Sequence, residues 1–300
     1  MRHITDVKDI QLHDTAVALG KFDGFHRGHQ LLIHQLMKWQ EQGMTGVIFT
    51  FVPAGERIGS AKLIDSRTEK IHKAEKTGVN ILLEYPFTKE FANLEPEAFV
   101  TEILIKQLDV RAVAIGKDFR FGKNRTGDAE VLIELGKKYG FQVQVFEKLK
   151  ENQKEISSSA IRNAIMNGQM KLAASYMGEN YCIYGEVVHG EGLGHTIGVP
   201  TTNQLISEEK LVPPFGVYAA KIIWKDQEYC GIANLGCKPT VSEGDVVDLE
   251  TYIFDFQQDL YGEWIEVELL EFIRPEQKFE TVEALLQQIE KDIEFTKLHF

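Results

Sequence analysis

The sequence predicts two domains: an α/β domain built on a parallel sheet, then a small antiparallel β-barrel with a terminal helix. Three observations carry that expectation. The first half alternates short apolar runs with stretches of helical period, the pattern of a parallel sheet with helices on its faces. After Gly178, short strands follow one another between Gly, Pro and Asp-rich turns. From residue 280 onwards, ETVEALLQQIEKDIEFTKL repeats its apolar positions at helical spacing.

Taken in order, TAVALG (15–20) and GVIFTF (46–51) read as buried strands. Leu32, Ile33, Leu36 and Met37 mark a helix between them. VNILLEY (79–85), VRAVAIG (110–116) and FQVQVF (141–146) continue the strands, with helices expected near 96–108 and 128–139. Residues 157–177 read as two helices with a turn at Asn167-Gly168. The strands of the second domain are YCIYGEVV, GVYAAKII, EYCGIANLG, DLETYIFDF and EWIEVELLEFI. The change of period gives domains 1–180 and 181–300, with no linker or repeat between them.

A formal net charge of −12 argues against a broad nucleic-acid surface, which needs a basic face to displace counterions from phosphates. A small nucleotide needs only a few local donors and stays open. The N-terminus has no apolar h-region and no run reaches membrane-spanning length, so no membrane partner is expected. Cys182, Cys230 and Cys237 share no CxxC spacing, which disfavours a zinc site or a disulfide framework. The expected location is the reduced cytoplasm.

The first candidate site is GKFDGFHRGHQ (20–30), where a strand ends in glycine and a helix follows. That geometry presents backbone N–H groups to phosphate, and ligands of open parallel sheets bind beyond the carboxyl ends of the strands. GxxxxGK[ST] is absent, so this is no Walker loop. Gly20, Lys21, Phe22, Asp23 and Gly24 form the turn, and Gly28 separates His26 from His29 without a side chain. The imidazoles could donate to phosphate oxygens; alone, the pair also reads as two loop histidines, and a metal site lacks a third ligand. ISSSAIR (156–162) places Ser158 and Ser159 at a helix start and Arg162 one turn in, a second phosphate cradle or an ordinary cap.

A second candidate lies in GEVVHGEGLGHTIGVPTTN (185–203), whose glycines suggest a flap over a phosphate chain or a turn-rich hairpin. Thr201 and Asn203 supply neutral oxygens suited to a hard cation. Glu250, read as starting a strand, shares a face with Tyr252 and Phe254 and suits a general base.

GKFDGFHRGHQ, GKDFRFGKNRTGD (116–128) and ISSSAIR together resemble the adenylyltransferase half of the prokaryotic bifunctional riboflavin kinase/FAD synthetase family. GEVV…GVPTTN, PFGVYA (214–219), NLGCKPT (234–240), LETYIFDFQQDLYG (249–262) and RPEQKF (274–279) resemble its riboflavin kinase half. The resemblance implies a Rossmann-like nucleotidylyltransferase domain and then a kinase barrel. It implies that FMN attacks the α-phosphorus of ATP with Mg2+ present, giving FAD and pyrophosphate. His26 and His29 would contact the triphosphate, Ser158, Ser159 and Arg162 its outer phosphates, and Asp118, Phe119 and Phe121 the flavin. In the kinase half, Gly190, Gly194, His195 and Gly198 would form the nucleotide loop. Thr201 and Asn203 would hold Mg2+ with ATP, and Glu250 would deprotonate riboflavin.

Departures from the family pattern are Lys21 in the first loop and FVPAGERIG after the second strand, where Pro-His-Pro is usual. Others are His195 and Lys238 for the usual arginines and Val199 for phenylalanine. Arginine at a phosphate loop is not interchangeable with imidazole, so adenylyl transfer is expected to persist while the kinase is either weakened or lost, or, as the retained Thr201, Asn203 and Glu250 argue, still active. Two other classes remain: a non-enzymatic flavin-binding regulator, and a nucleotidylyltransferase acting on another small phosphate. The oligomeric state is not legible.

Overall fold

The computed structural model describes residues 1–53, 62–190, 199–239 and 245–299. Its elements in chain order are β1 (Arg2–Ile4), β2 (Thr15–Leu19), α1 (Arg27–Glu41), β3 (Thr45–Pro53), α2 (Arg67–Lys76) and β4 (Ile81–Phe87). Then come α3 (Lys89–Ala92), α4 (Pro96–Ala98) running into a π-helical stretch (Phe99–Gln107), β5 (Val110–Gly116), α5 (Ala129–Tyr139), β6 (Gln142–Phe146) and a hairpin of β7 (Lys150–Glu151) and β8 (Lys154–Glu155). Next are α6 (Ser158–Met166), α7 (Met170–Met177) and β9 (Tyr181–Glu186). The chain closes with β10 (Thr202–Leu205), β11 (Gly216–Trp224), β12 (Gln227–Pro239), β13 (Asp245–Ile253), β14 (Trp264–Arg274) and α8 (Val282–His299).

Two compact units result: 1–61 with 70–157, and 62–69 with 158–300. In the first, six parallel strands lie in the order β1-β4-β3-β2-β5-β6. Strand alternation sorts their side chains into two cores. Val17, Leu19, Val47, Phe49, Leu83, Val113 and Ile115 face the layer that contains Phe99 and Leu104. Ala16, Ala18, Ala112 and Ala114 face the other way, beneath Leu32, Ile33, Leu36 and Trp39 of α1. The small alanines let α1 approach the sheet closely, and each of its four buried side chains contributes about 1.5–3 kcal/mol of burial free energy. The strand order reverses between β2 and β5, so the crevice at their carboxyl ends is the topological switch point.

In the second unit, six antiparallel strands run β10-β13-β12-β11-β14-β9. Among the described residues its two edges approach each other through a bridge between Val188 and Asn203 and through the buried Gln204 amide. Gln204 Nε2 donates to the Gly185 carbonyl at 2.9 Å and to that of Ile265 at 3.1 Å, so a side chain stands in for missing ladder bonds. The result is a nearly closed barrel, as the run of short strands predicts. α8 covers the outer face, with Ile289 and Ile293 against Val217, Ile232 and Phe254. Its position is secured by Arg274, whose Nε and terminal nitrogen reach the Asp292 carboxylate at 3.0 and 2.8 Å.

The segment 62–69 belongs to this unit for an electrostatic reason. Lys210 Nζ meets Glu69 Oε2 at 2.5 Å, with both side chains 1% exposed, and also donates to the Ile64 carbonyl at 3.1 Å. The ammonium lies 4.4 Å from the centre of the Tyr181 ring. Burial opposes its charge, but Glu69 first, then Tyr181 and Asp65, outweigh it and hold the group above the usual lysine range. Lys210→Met strands a buried carboxylate and is expected to cost about 3–5 kcal/mol, while adding Glu69→Leu recovers most of that. Calorimetric melts of the single and double variants check it; a loss under about 1 kcal/mol in the single variant would refute the role.

Candidate active sites

The first site grows out of the turn after β2. Phe22 and Phe25 have φ of 45° and 38°, and Gly24 has 86°. Positive φ at two phenylalanines is strained, yet both rings are buried at 0% and 3% exposure, so packing holds the strain at the switch point. A Cβ on Gly20 would come within 3.1 Å of the Phe22 ring, and one on Gly28 within 3.1 Å of the His26 ring. Glycine at 28 thus leaves room for the imidazoles, which stack with centroids 3.7 Å apart.

His26 caps α1: its Nδ1 accepts from the His29 N–H at 3.3 Å. A nitrogen that accepts carries no proton, so neutral His26 is protonated on Nε2, leaving that N–H to donate to a ligand. Burial pushes His26 down to about 4, only partly offset by its own backbone and Asp118. Burial, then His26, then Lys70 push His29 well below the usual histidine range. Its Nδ1 is enclosed and has no hydrogen-bond partner among the described residues. Both rings are therefore neutral at pH 7, not charges.

The sign of the pH effect follows. As pH falls below 6.5 the unfolded chain binds a proton that folded His26 refuses until about pH 4, so stability drops through that window. Between pH 7 and 5 the loss from His26 is about 2 kcal/mol. Comparing wild type with His26→Asn, which retains a capping side chain, isolates it; parallel stability–pH curves for the two would contradict the assignment.

Across the crevice, β5 ends at Gly116 and the chain turns through Asp118. Asp118 is paired with Lys148 at 3.2 Å, and its field reaches His26. Phe119 and Phe121 stack at 5.8 Å, but Phe121 is 6% exposed and packs on Phe99, making it a core ring. Arg27, between the two histidines, is ion-paired with Glu151 of the β7–β8 hairpin. Ser158 and Ser159 begin α6 as expected, and Arg162 Nε donates to the Lys62 carbonyl at 3.3 Å. These three belong to the second unit.

The second site is on the barrel. Glu250 sits mid-strand rather than at a strand start: in register, it lies opposite Asn203 on one side and Asn234 on the other. Tyr252 and Phe254 follow it, with rings 5.8 Å apart. Asn203 is 8% exposed, and its Oδ1 is buried without a partner among the described residues. A Cβ on Gly190 would fall 2.4–2.7 Å from the Asn203 amide, so only glycine lets the chain pass there. Thr201, Thr202 and Thr251 line a neighbouring cleft of about 320 Å3 together with Tyr261, and the Thr251 hydroxyl is buried without a partner among the described residues. An orphaned amide oxygen is a hard, neutral donor, which fits a Mg2+ ion that keeps waters and phosphate oxygens. Gly194, His195 and Gly198 lie outside the described residues, as does the side chain of Lys238.

Comparison with known proteins covers both units. The FAD synthetase model matches residues 8–160 and the riboflavin kinase model residues 177–300. The chain belongs to the bifunctional riboflavin kinase/FAD synthetase family. The bifunctional riboflavin kinase/FMN adenylyltransferase of Bacillus subtilis is 38% identical over 93% of this chain and 90% of its own. That of Haemophilus influenzae is 36% identical over 96% and 95%, and that of Escherichia coli K12 34% over 97% and 95%. A Streptococcus pneumoniae crystal structure described as a macrolide-efflux protein superposes with TM-score 0.84 at 32% identity, covering 98% of both chains. Among the described residues no helix is long and apolar enough to cross a membrane. Within this family, sequence reasoning missed Gln204, Lys210 and Glu69. Their side chains carry no motif, and only Ser66-x-x-Glu69, a capping box in the structure, signals the helix that holds Glu69.

Proposed function

We propose that the chain makes FAD from riboflavin in two steps, one on each unit. The observation that carries this reading is the HxGH turn, with two stacked neutral imidazoles at the switch point of a parallel sheet. On the barrel, the 5′-hydroxyl oxygen of riboflavin attacks the γ-phosphorus of ATP, the bond to ADP breaks, and Glu250 takes the hydroxyl proton. On the first unit, an FMN phosphate oxygen attacks the α-phosphorus of a second ATP, and the bond to the β-phosphate breaks to release pyrophosphate. His26 and His29 donate to the phosphate oxygens as charge shifts onto the leaving group. Phe119 with Asp118 borders the flavin.

Asn203 and Thr201 are the side chains that hold Mg2+ on the barrel. The ion neutralises phosphate charge when bound. The reading also implies small-molecule partners only and a cytoplasmic site of action. The sequence departures at His195, Val199 and Lys238 bear on kinase rate alone. Chromatographic analysis of products from ATP and Mg2+ with riboflavin or FMN, each oxidised or reduced, tests the proposal. FAD is expected from FMN, and FMN then FAD from riboflavin. Tight flavin binding with no ATP turnover would support a flavin-binding regulator instead.

A further inference from the structure

Lys70 is a buried cation in the first site that no motif includes. It is 6% exposed, although lysine is among the residues that most rarely bury. Its Nζ donates at 3.2 Å to the Lys21 carbonyl, in the strained turn before His26. The Thr50 hydroxyl, from the carboxyl end of β3, donates to the same oxygen at 2.8 Å. Lys70 thereby reaches the phosphate turn from α2, a helix that sequence periodicity does not reveal. Its field is felt at His29.

The electrostatics of the turn call for such a group. ATP brings about four negative charges at neutral pH, and two neutral imidazoles offer it hydrogen bonds but no charge. Donors inside a protein are strongest when a fixed charge of the right sign is already in place, since no reorganisation is then needed. The Lys21 side chain is exposed to solvent, where its charge is screened. We infer that Lys70 supplies a permanent positive charge from within the first unit and binds the triphosphate of ATP, and the released pyrophosphate, beside His29. The division of labour is then explicit: the histidines orient and donate, while the lysine provides charge. This assignment rests on the adenylyltransferase reading above.

The test uses the full chain with Lys70→Gln, which keeps a donor for the Lys21 carbonyl but no charge, and Lys70→Arg, which keeps both. Lys70→Gln is expected to raise the KM for ATP in FAD formation, and the inhibition constant of pyrophosphate, by about 10- to 100-fold. The KM for FMN and the rate of riboflavin phosphorylation stay within about twofold. Lys70→Arg recovers the phosphate parameters to within about fivefold of wild type. Equal losses in both variants, or a KM for FMN that rises with that for ATP, would assign Lys70 to holding the turn and overturn the inference. Unmoved ATP and pyrophosphate parameters in Lys70→Gln, with normal FAD formation by wild type, would overturn it alone. A wild-type chain that forms no FAD would remove both this inference and the adenylyltransferase reading.

Discussion

Replacing His29 by alanine is expected to lower FAD formation from supplied FMN by about 10²- to 10³-fold, the effect of removing one preorganised donor to a developing charge. The physical basis is the fixed orientation of the ring: it stacks on His26 at 3.7 Å and lies tilted against Phe22 at 4.9 Å. Alanine also removes the partner that holds the His26 ring flat against the helix start, although the backbone N–H that fixes its tautomer remains. Riboflavin phosphorylation by the same chain serves as the internal control, because its groups lie on the barrel. Chromatographic separation of FMN and FAD reads both rates at once. FAD synthesis that survives the substitution would show that the stacked pair is not the phosphate site.

Glu250→Gln makes the complementary prediction. FMN formation from riboflavin is expected to fall by about 10²- to 10⁴-fold, the usual contribution of a positioned general base. FAD formation from supplied FMN should be unchanged. Glutamine preserves size and the capacity to accept a hydrogen bond while removing proton affinity, so packing between Asn203 and Asn234 is retained. If FMN formation persisted near the wild-type rate, deprotonation would have to be assigned elsewhere. The two variants together form a cross: each should silence one activity and spare the other.

Much of this arrangement was legible beforehand, for reasons that differ by element. β2, β5 and α1 were readable because burial on both faces of a parallel sheet, or on one face of a helix, writes a period into the sequence. The pair of helices at 157–177 was readable from Asn167-Gly168, and Gly168 adopts φ of 67°. α2 was not readable, because its sequence RTEKIHKAEK contains only Ile71 and Ala74 as apolar residues. β1 was too short, at three residues, to show any period. The sequence reads Glu250 as a strand start, whereas its strand already begins at Asp245. Phe121 belongs to a motif that resembles the flavin side, and the fold shows its packing partners, which the motif does not: Phe99 and Gly127, on which a Cβ would lie 2.7 Å from its ring.

What the sequence determined by itself is the chemistry: HxGH after a strand, the serines and arginine at a helix start, and a carboxylate among aromatics are local patterns, set by neighbours within a few residues. Tertiary structure alone decided which distant groups complete those patterns. Lys70 reaches the turn at Lys21, Asn203 is opposed to Glu250, and Gln204 bridges the edges of the barrel through strand pairing and packing over long separations in the chain. It also decided the protonation of the histidines, since their neutrality comes chiefly from burial, and burial is a property of the folded whole.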